Sequence, residues 1–519
     1  MATLILVQIL FFPSTKSRSM LILIQSSLLL LDIIWGVNLN YYFSIERTDS
    51  FFHSWMIQIL VQEGAINEHF DMYRAFPLWH ILCASIYKIA GMDISFYRAM
   101  YLINGVIFAA IPPGAYVLAR RLFSEEKIAL LAALFVSFYP DVLKYGIAGL
   151  ARSPISFLGI LLVITLLYHR SFAATFIAIA MTVSIIVFHT VSIPFVLVVL
   201  AVLYVLQRVY GAIHEQQVVD TDYMVFAVTA MLAYWMYISL ELFEAIIEEL
   251  LTTAAPDEIR SSGVFLAPLN ELFNYLQYSP LLFFLLIGTL EALKNDRISR
   301  TAKVICMAGL LFTIVSFPGP SLLVTKLAGF NIDRFGEYVF FLIVLAVSFG
   351  FYTIYAKSGK SFKSILIVLF MILIFLSVSN DFIASDNPLV KRPFYTFYLT
   401  EEEVSGFDHA GNTSNGYVMS DFVTYRYMEN TYYRESGHIL EVNTHSLDFL
   451  RSGPSDLILI RKGELEKRPL RLFITEEGFI KTPNIDWAER YYYRDDQKLW
   501  SSLEGYSKIY DSSSIETYI

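Results

Sequence analysis

Residues 96–123 read FYRAMYLINGVIFAAIPPGAYVLARRLF. From 99 to 119 there is no charged residue, and the run stops at Arg120–Arg121. About 20 apolar residues cross the hydrocarbon of a bilayer, so this stretch predicts a membrane-spanning helix with a cytoplasmic end at the arginine pair. Working outward, similar runs lie near 20–38, 127–140, 154–168, 172–188, 192–206, 223–243, 279–293, 302–316, 335–355 and 364–380. The fold class that follows is a polytopic α-helical membrane protein of about eleven spans. Composition agrees: 16% of residues are charged and 56% hydrophobic, where soluble domains carry roughly 25% charged residues.

Basic residues set the sidedness. Lys16/Arg18, Arg120/Arg121/Lys127, Arg170, Arg208, Lys294/Arg297/Arg300/Lys303 and Lys357/Lys360/Lys363 fall at every second loop. That alternation puts the N-terminus in the cytoplasm and the C-terminal region outside. The run at 2–12 has no basic residue ahead of it and no small-residue cleavage site, so no cleavable signal is expected. FPLWHILCASIYKIA, 76–90, is apolar but would break the alternation if it crossed, and it is expected at the outer interface; 1–12 could restore the parity as an extra short span. Phe51, Phe52, Trp55, Met56, Ile59 and Leu60 share one helical face over 50–62. The first outer loop, 39–98, is therefore expected to hold two interfacial helices joined by INEHFDMYR.

The chain divides into a transmembrane domain, 1–380, and an extracytoplasmic domain, 381–519. The latter holds 23 of the 47 acids and 15 of the 38 bases, so it carries almost all of the net charge of −9. Nothing in this balance points to nucleic acid. VMSDFVTYRYM, DLILIRK and RLFITEEGFI read as short β-rich runs, and SKIYDSSSIETYI as a hairpin around Asp511–Ser514. A small α/β domain is expected. Cys83 and Cys306 lie in apolar stretches, which excludes a disulfide framework.

The polar residues on the outer side are the site candidates. Asp49 begins the first interfacial helix with His53 one turn on; it either caps that helix or presents a carboxylate at the membrane surface. Asp141 follows the third span, with Lys144 and Arg152 nearby. His189 closes the fifth span. Arg334, after Asp333, opens the tenth, where an arginine either snorkels or grips a phosphate through its planar fork. Asp32 lies within the first span, and an ionisable group there is a site candidate by default. Glu241, Glu244, Glu248 and Glu249 read as a solvated helix edge. His69, Asp71 and His80, with Asp49 and His53, are the densest set of metal-ligand types, but they lack the Cys or paired-His spacing of zinc. A divalent cation is left open. No Gly-rich phosphate loop faces the cytoplasm, so no nucleotide is expected.

The order of the pieces is more specific than any one residue. A cytoplasmic N-terminus and one span lead to Asp49, the amphipathic 50–62, FPLWHILCASIYKIAG, and FYRAMYLINGVIFAAIPPGAYVLARRLF. Over about 20–170 this resembles the GT-C superfamily of membrane glycosyltransferases, which includes protein mannosyltransferases, aminoarabinose transferases and oligosaccharyltransferases. The likeness is greatest to prokaryotic, especially archaeal, members with a small outer C-terminal domain. The resemblance implies a polyprenyl- or dolichyl-phosphate sugar donor and a lipid-linked glycan, lipid or protein acceptor on the outer face. It matches Asp49 to the family's first-loop carboxylate as catalytic base. The family's second carboxylate falls at the start of the fourth span, where this chain has Arg152–Ser153; Asp141 lies earlier than the pattern. Arg334, Arg152 and Lys144 are the expected donor-phosphate ligands, and Asp49 and Arg334 are expected to face one cavity. The WWDYG motif of oligosaccharyltransferases is absent, which argues against transfer of a whole oligosaccharide to protein. The rival readings are a secondary transporter or lipid flippase, disfavoured by the clean spans and by polar residues gathered at one face, and a non-catalytic scaffold or receptor.

Overall fold

The computed structural model describes residues 1–41, 43–44, 49–168, 171–211, 217–252, 275–317, 334–380, 398–413, 418–432, 437–439, 441–442, 457–466, 470–474, 490–493, 500–501 and 503–519. Arg170 and Asp333, the side chains of Glu248 and Glu249, and the part of RLFITEEGFI beyond Ile474 are outside what is described. The chain splits into two compact units. One comprises Met1–Gly36, Met56–Glu258 and Tyr275–Ser379; the other includes Val37–Trp55 and Asn380–Ile519.

The helices run α1 (Ala2–Phe11), α2 (Lys16–Asn40), α3 (Asp49–Glu63), α4 (Leu78–Ala90), α5 (Phe96–Phe108), α6 (Ile111–Leu122), α7 (Glu126–Val136), α8 (Pro140–Ala148) and α9 (Ser153–Leu167). They continue as α10 (Phe172–Phe188), α11 (Ser192–Val209), α12 (Thr221–Ile238), α13 (Leu240–Thr252), α14 (Tyr278–Lys294), α15 (Arg300–Ser316), α16 (Phe335–Lys357) and α17 (Lys360–Val378). These follow the expected runs closely, but the span count does not. Among the described residues five helical stretches are long and apolar enough to cross: Lys16–Val37, Phe96–Leu122, Ser192–Val209, Phe335–Lys357 and Lys360–Val378. Two bent pairs bring the number to as many as seven. The spans are also not unbroken. The expected run at 127–140 is α7 followed by α8 at a 48° bend, because Pro140 starts α8 and cannot donate a backbone N–H to a continuing helix. A second bend, of 108°, separates α12 from α13.

The first unit is built around α16, which packs on α7, α8, α9, α11, α14 and α15. FGEYVFFLIVLAVSFGFYTIYAK is apolar around its whole circumference, and such a helix is buried on all sides. Small residues permit its close approach to α14. A Cβ on Gly288 would overlap the Ala346 carbonyl, and one on Gly350 would overlap that of Phe284.

In the second unit, β3 (Val418–Ser420), β4 (Gly437–Ile439) and β6 (Leu457–Ile460) are parallel, and the hairpin β9 (Lys508–Asp511) and β10 (Glu516–Tyr518) extends the sheet antiparallel in the order β4-β3-β6-β10-β9. (β1 is Phe43–Ser44, β2 Tyr398–Leu399, β5 Glu441–Val442, β7 Leu470–Ile474 and β8 Arg490–Tyr493.) The helices α18 (Glu401–Thr413) and α19 (Phe422–Tyr432) supply the other layer, with the short α20 (Lys462–Leu465) after β6. VMSDFVTYRYM is therefore strand then helix, not a continuous β run. Asp421 makes the switch: its carboxylate accepts from the Val423 N–H (3.1 Å) and the Thr424 hydroxyl (2.7 Å), capping α19. Phe51 packs into this unit's core with Leu399, Phe407 and Tyr427, and Met56, Ile59 and Leu60 are buried in the first unit. Of the apolar face of α3, Phe51, Met56, Ile59 and Leu60 are buried and Phe52 and Trp55 half-buried.

Candidate active site

The α8–α9 turn gathers the charged residues of the first unit. Gly149 (φ 64°) ends α8 in the left-handed conformation that glycine adopts without a Cβ clash. The turn is tied down from two sides. Asn104 on α5 donates to the Tyr145 and Gly146 carbonyls at 3.3 and 2.7 Å, and the Ser153 hydroxyl donates to the Tyr145 carbonyl at 3.0 Å. This fixes Lys144 on α8 and Arg152 at the start of α9. The Lys144 ammonium and the Arg152 guanidinium both lie over the Tyr145 ring, at 5.4 and 4.9 Å from its centroid.

The first turn of α16 faces this corner. Arg152 Nε stands 3.4 Å from Glu337 Oε2, and both side chains are almost wholly buried. Besides Arg152, the charges acting on Glu337 are those of Arg334, Asp141 and Lys144. Asp141 is itself only 8% exposed, and its carboxylate lies so close to Gly336 that a Cβ there would overlap it. Buried Asp141, Arg152 and Glu337 therefore lie together at the start of α16, with half-buried Lys144 and Arg334 near enough for their charges to act on Glu337. On the next residue, the Tyr338 hydroxyl is 2.7 Å from Ser192 Oγ, which is 2.9 Å from His189 Nδ1.

The expected residues divide as follows. Asp141, Lys144, Arg152 and Arg334 come together around Glu337. His189 joins them through Ser192 and Tyr338, and lies against Tyr73, whose ring also meets buried His80. His69 and Asp71 are exposed on the 3-10 turn Glu68–Arg74, where Asp71 has a positive φ of 44°. Asp49 is exposed in the first turn of α3, and His53 is buried, in the second unit. Asp32 is exposed on α2. Among the described residues no three His, Cys, Asp or Glu side chains gather closely enough to hold a metal ion. Glu337 was missed in the sequence although it carried a signal. In RFGEYVFF it is an acid inside an apolar helix, three residues from Arg334, the same rule that singled out Asp32. Ser192 and Tyr338 carried no such signal.

A bundle of apolar helices around a charged corner, joined in sequence to a small α/β unit, describes a multi-pass membrane protein, and its fold is one found among solved membrane proteins. Two solved structures that share it are of archaeal oligosaccharyltransferases. The apo crystal structure of the Archaeoglobus fulgidus enzyme matches with a TM-score of 0.51 at 11% identity, covering 81% of this chain and 64% of that one. Archaeal oligosaccharyltransferase AglB from Archaeoglobus fulgidus, in complex with an inhibitory peptide and a dolichol-phosphate, matches with a TM-score of 0.52 at the same identity and coverage. The chain thus spans 64% of the length of those proteins. No family model and no curated protein sequence matches it.

Proposed function

We propose that this chain is a glycosyltransferase that moves a sugar from a polyprenyl- or dolichyl-phosphate donor to a lipid-linked glycan, lipid or protein acceptor on the outer membrane face. The observation that carries the reading is the corner of buried Arg152, Asp141 and Glu337 with half-buried Lys144 and Arg334, in a fold shared with an enzyme solved with dolichol-phosphate. The peptide in that complex makes a peptide acceptor the first to try. In the reaction the acceptor oxygen forms a bond to the anomeric carbon and gives its proton to a carboxylate. The bond from that carbon to the phosphate oxygen breaks, and the electron pair leaves on the lipid phosphate. Arg152, Lys144 and Arg334 are the proposed cations for the charge that grows there. Glu337 orients Arg152. Asp141 and Asp49 are the proposed catalytic carboxylates, Asp141 on its place in the corner and Asp49 on the first-loop resemblance.

The test is transfer of radiolabelled sugar from dolichyl-phosphate donors by the purified protein, with Asp49→Asn and Asp141→Asn assayed beside it. The variant that removes the base loses about 10²–10⁴-fold in turnover; full activity in both removes both assignments. Two features favour transport as a second reading. The bundle contains bent helix pairs, and Asp141 and Lys144 sit just past one of the bends, as ionisable groups do in broken transporter helices. Transport of the labelled lipid without cleavage of its sugar bond would select that reading.

A further inference from the structure

A cleft of about 570 Å³ opens in the second unit between α20, the stretch 500–506 and the β9–β10 hairpin. None of its residues takes part in the reaction proposed above. The volume falls within the roughly 300–1,000 Å³ usual for small-molecule sites. Its walls carry the rings of Trp500, Tyr506 and Tyr518, and the carboxylates of Glu466 and Glu504.

The cations in the cleft are already committed. Lys462 Nζ is 2.7 Å from Asp511 Oδ1 and 3.1 Å from Glu516 Oε1, and Lys508 Nζ is 3.0 Å from Glu516 Oε1 and 3.1 Å from Asp511 Oδ2. An anionic ligand would have to compete with both carboxylates for them. A cationic ligand would meet the same two lysines on the wall. Glu466 and Glu504 are exposed and, among the described residues, make no ion pair. They are free to accept, and each ionised carboxylate has room for several donors. Aromatic faces beside carboxylate acceptors suit a ligand with an apolar C–H face and a rim of hydroxyls.

We propose that this cleft binds a neutral saccharide, its ring face lying on Trp500 and its hydroxyls donating to Glu504 and Glu466. The proposal does not rest on the transferase reading, because it concerns binding and not sugar transfer. The experiment uses the full-length protein in nanodiscs, free of sugar-headed detergent, titrated calorimetrically with mannotriose, cellotriose and chitotriose up to the millimolar range. At least one is expected to bind saturably. Trp500→Ala and, at an exposed position that leaves the fold alone, Glu504→Gln are each expected to weaken it by about tenfold, or 1.4 kcal/mol. Absence of binding by all three sugars would overturn the proposal. So would affinity unchanged in Glu504→Gln, or inorganic phosphate or trilysine displacing the sugar.

Discussion

At Gly336 a single added methyl group would run into the Asp141 carboxylate, so the corner depends on the smallest side chain at the start of α16. Next to it, Arg152 and Glu337 are buried as a pair, and removing one partner leaves the other charge uncompensated. Glu337→Gln is expected to lower stability by as much as about 3–5 kcal/mol, read as a fall in the thermal midpoint. Arg152→Lys keeps the charge but not the planar fork, so it should retain more of the fold than of the donor affinity. Another residue-scale prediction lies in the second unit. Hydrogen bonds from Ser513, Ser512 and Ser514 hold the Glu402 carboxyl well below its ordinary value, at about 2. A depressed carboxyl stabilises the fold above its unfolded value of 4.5 and loses that contribution as pH falls toward 2. The difference in thermal midpoint between wild type and Glu402→Gln should be present at pH 6 and close across that window; a gap that persists at the acid end would contradict the assignment. At this scale the sequence made Asp141, Lys144, Arg152 and Arg334 legible, because charges stand out against apolar runs. It did not show which would meet, since that depends on how α8, α9 and α16 pack.

Helices were legible where an apolar run was long, and breaks were harder to see. Pro140 is visible in the sequence, yet the run around it reads as one span because its hydropathy does not change at the bend. The switch at Asp421 was also visible, as a capping residue followed by Val423, Tyr427 and Met428 at helical spacing. The β-branched and aromatic residues of that stretch pull a local reading toward strand. Close packing of α14 on α16 could not be read at all, since glycines in apolar helices have many uses. It yields a prediction. Gly288→Val places side-chain atoms where the Ala346 carbonyl already lies, and overpacking of this kind costs about 1–3 kcal/mol or more. The variant should show a lower thermal midpoint in detergent than Gly36→Val, whose added Cβ meets nothing within 4 Å. Equal midpoints would mean that the two helices are not held at this distance.

Over the whole chain, the composition made a helical membrane protein with a polar C-terminal region legible, and the order of the first segments pointed to a fold that the solved oligosaccharyltransferases share. The number of spans was not legible, because bends and short helices divide apolar runs that look alike in sequence. Sidedness rests on the alternation of basic loops. We expect a cysteine placed at Ser507 to react with an impermeant thiol reagent in intact cells and one at Ser358 to be protected; the reverse pattern would remove the outward-facing site. The proposed reaction requires the corner around Arg152 to hold a lipid phosphate. Equilibrium binding of radiolabelled dolichyl-phosphate to the purified protein and to Arg152→Ala measures this. Saturable binding to the wild type is expected, with a loss of about 10- to 100-fold in the variant, as for a charge-assisted hydrogen bond worth roughly 1.5–3 kcal/mol. Equal affinity in a folded Arg152→Ala, or no binding to the wild type, would contradict it.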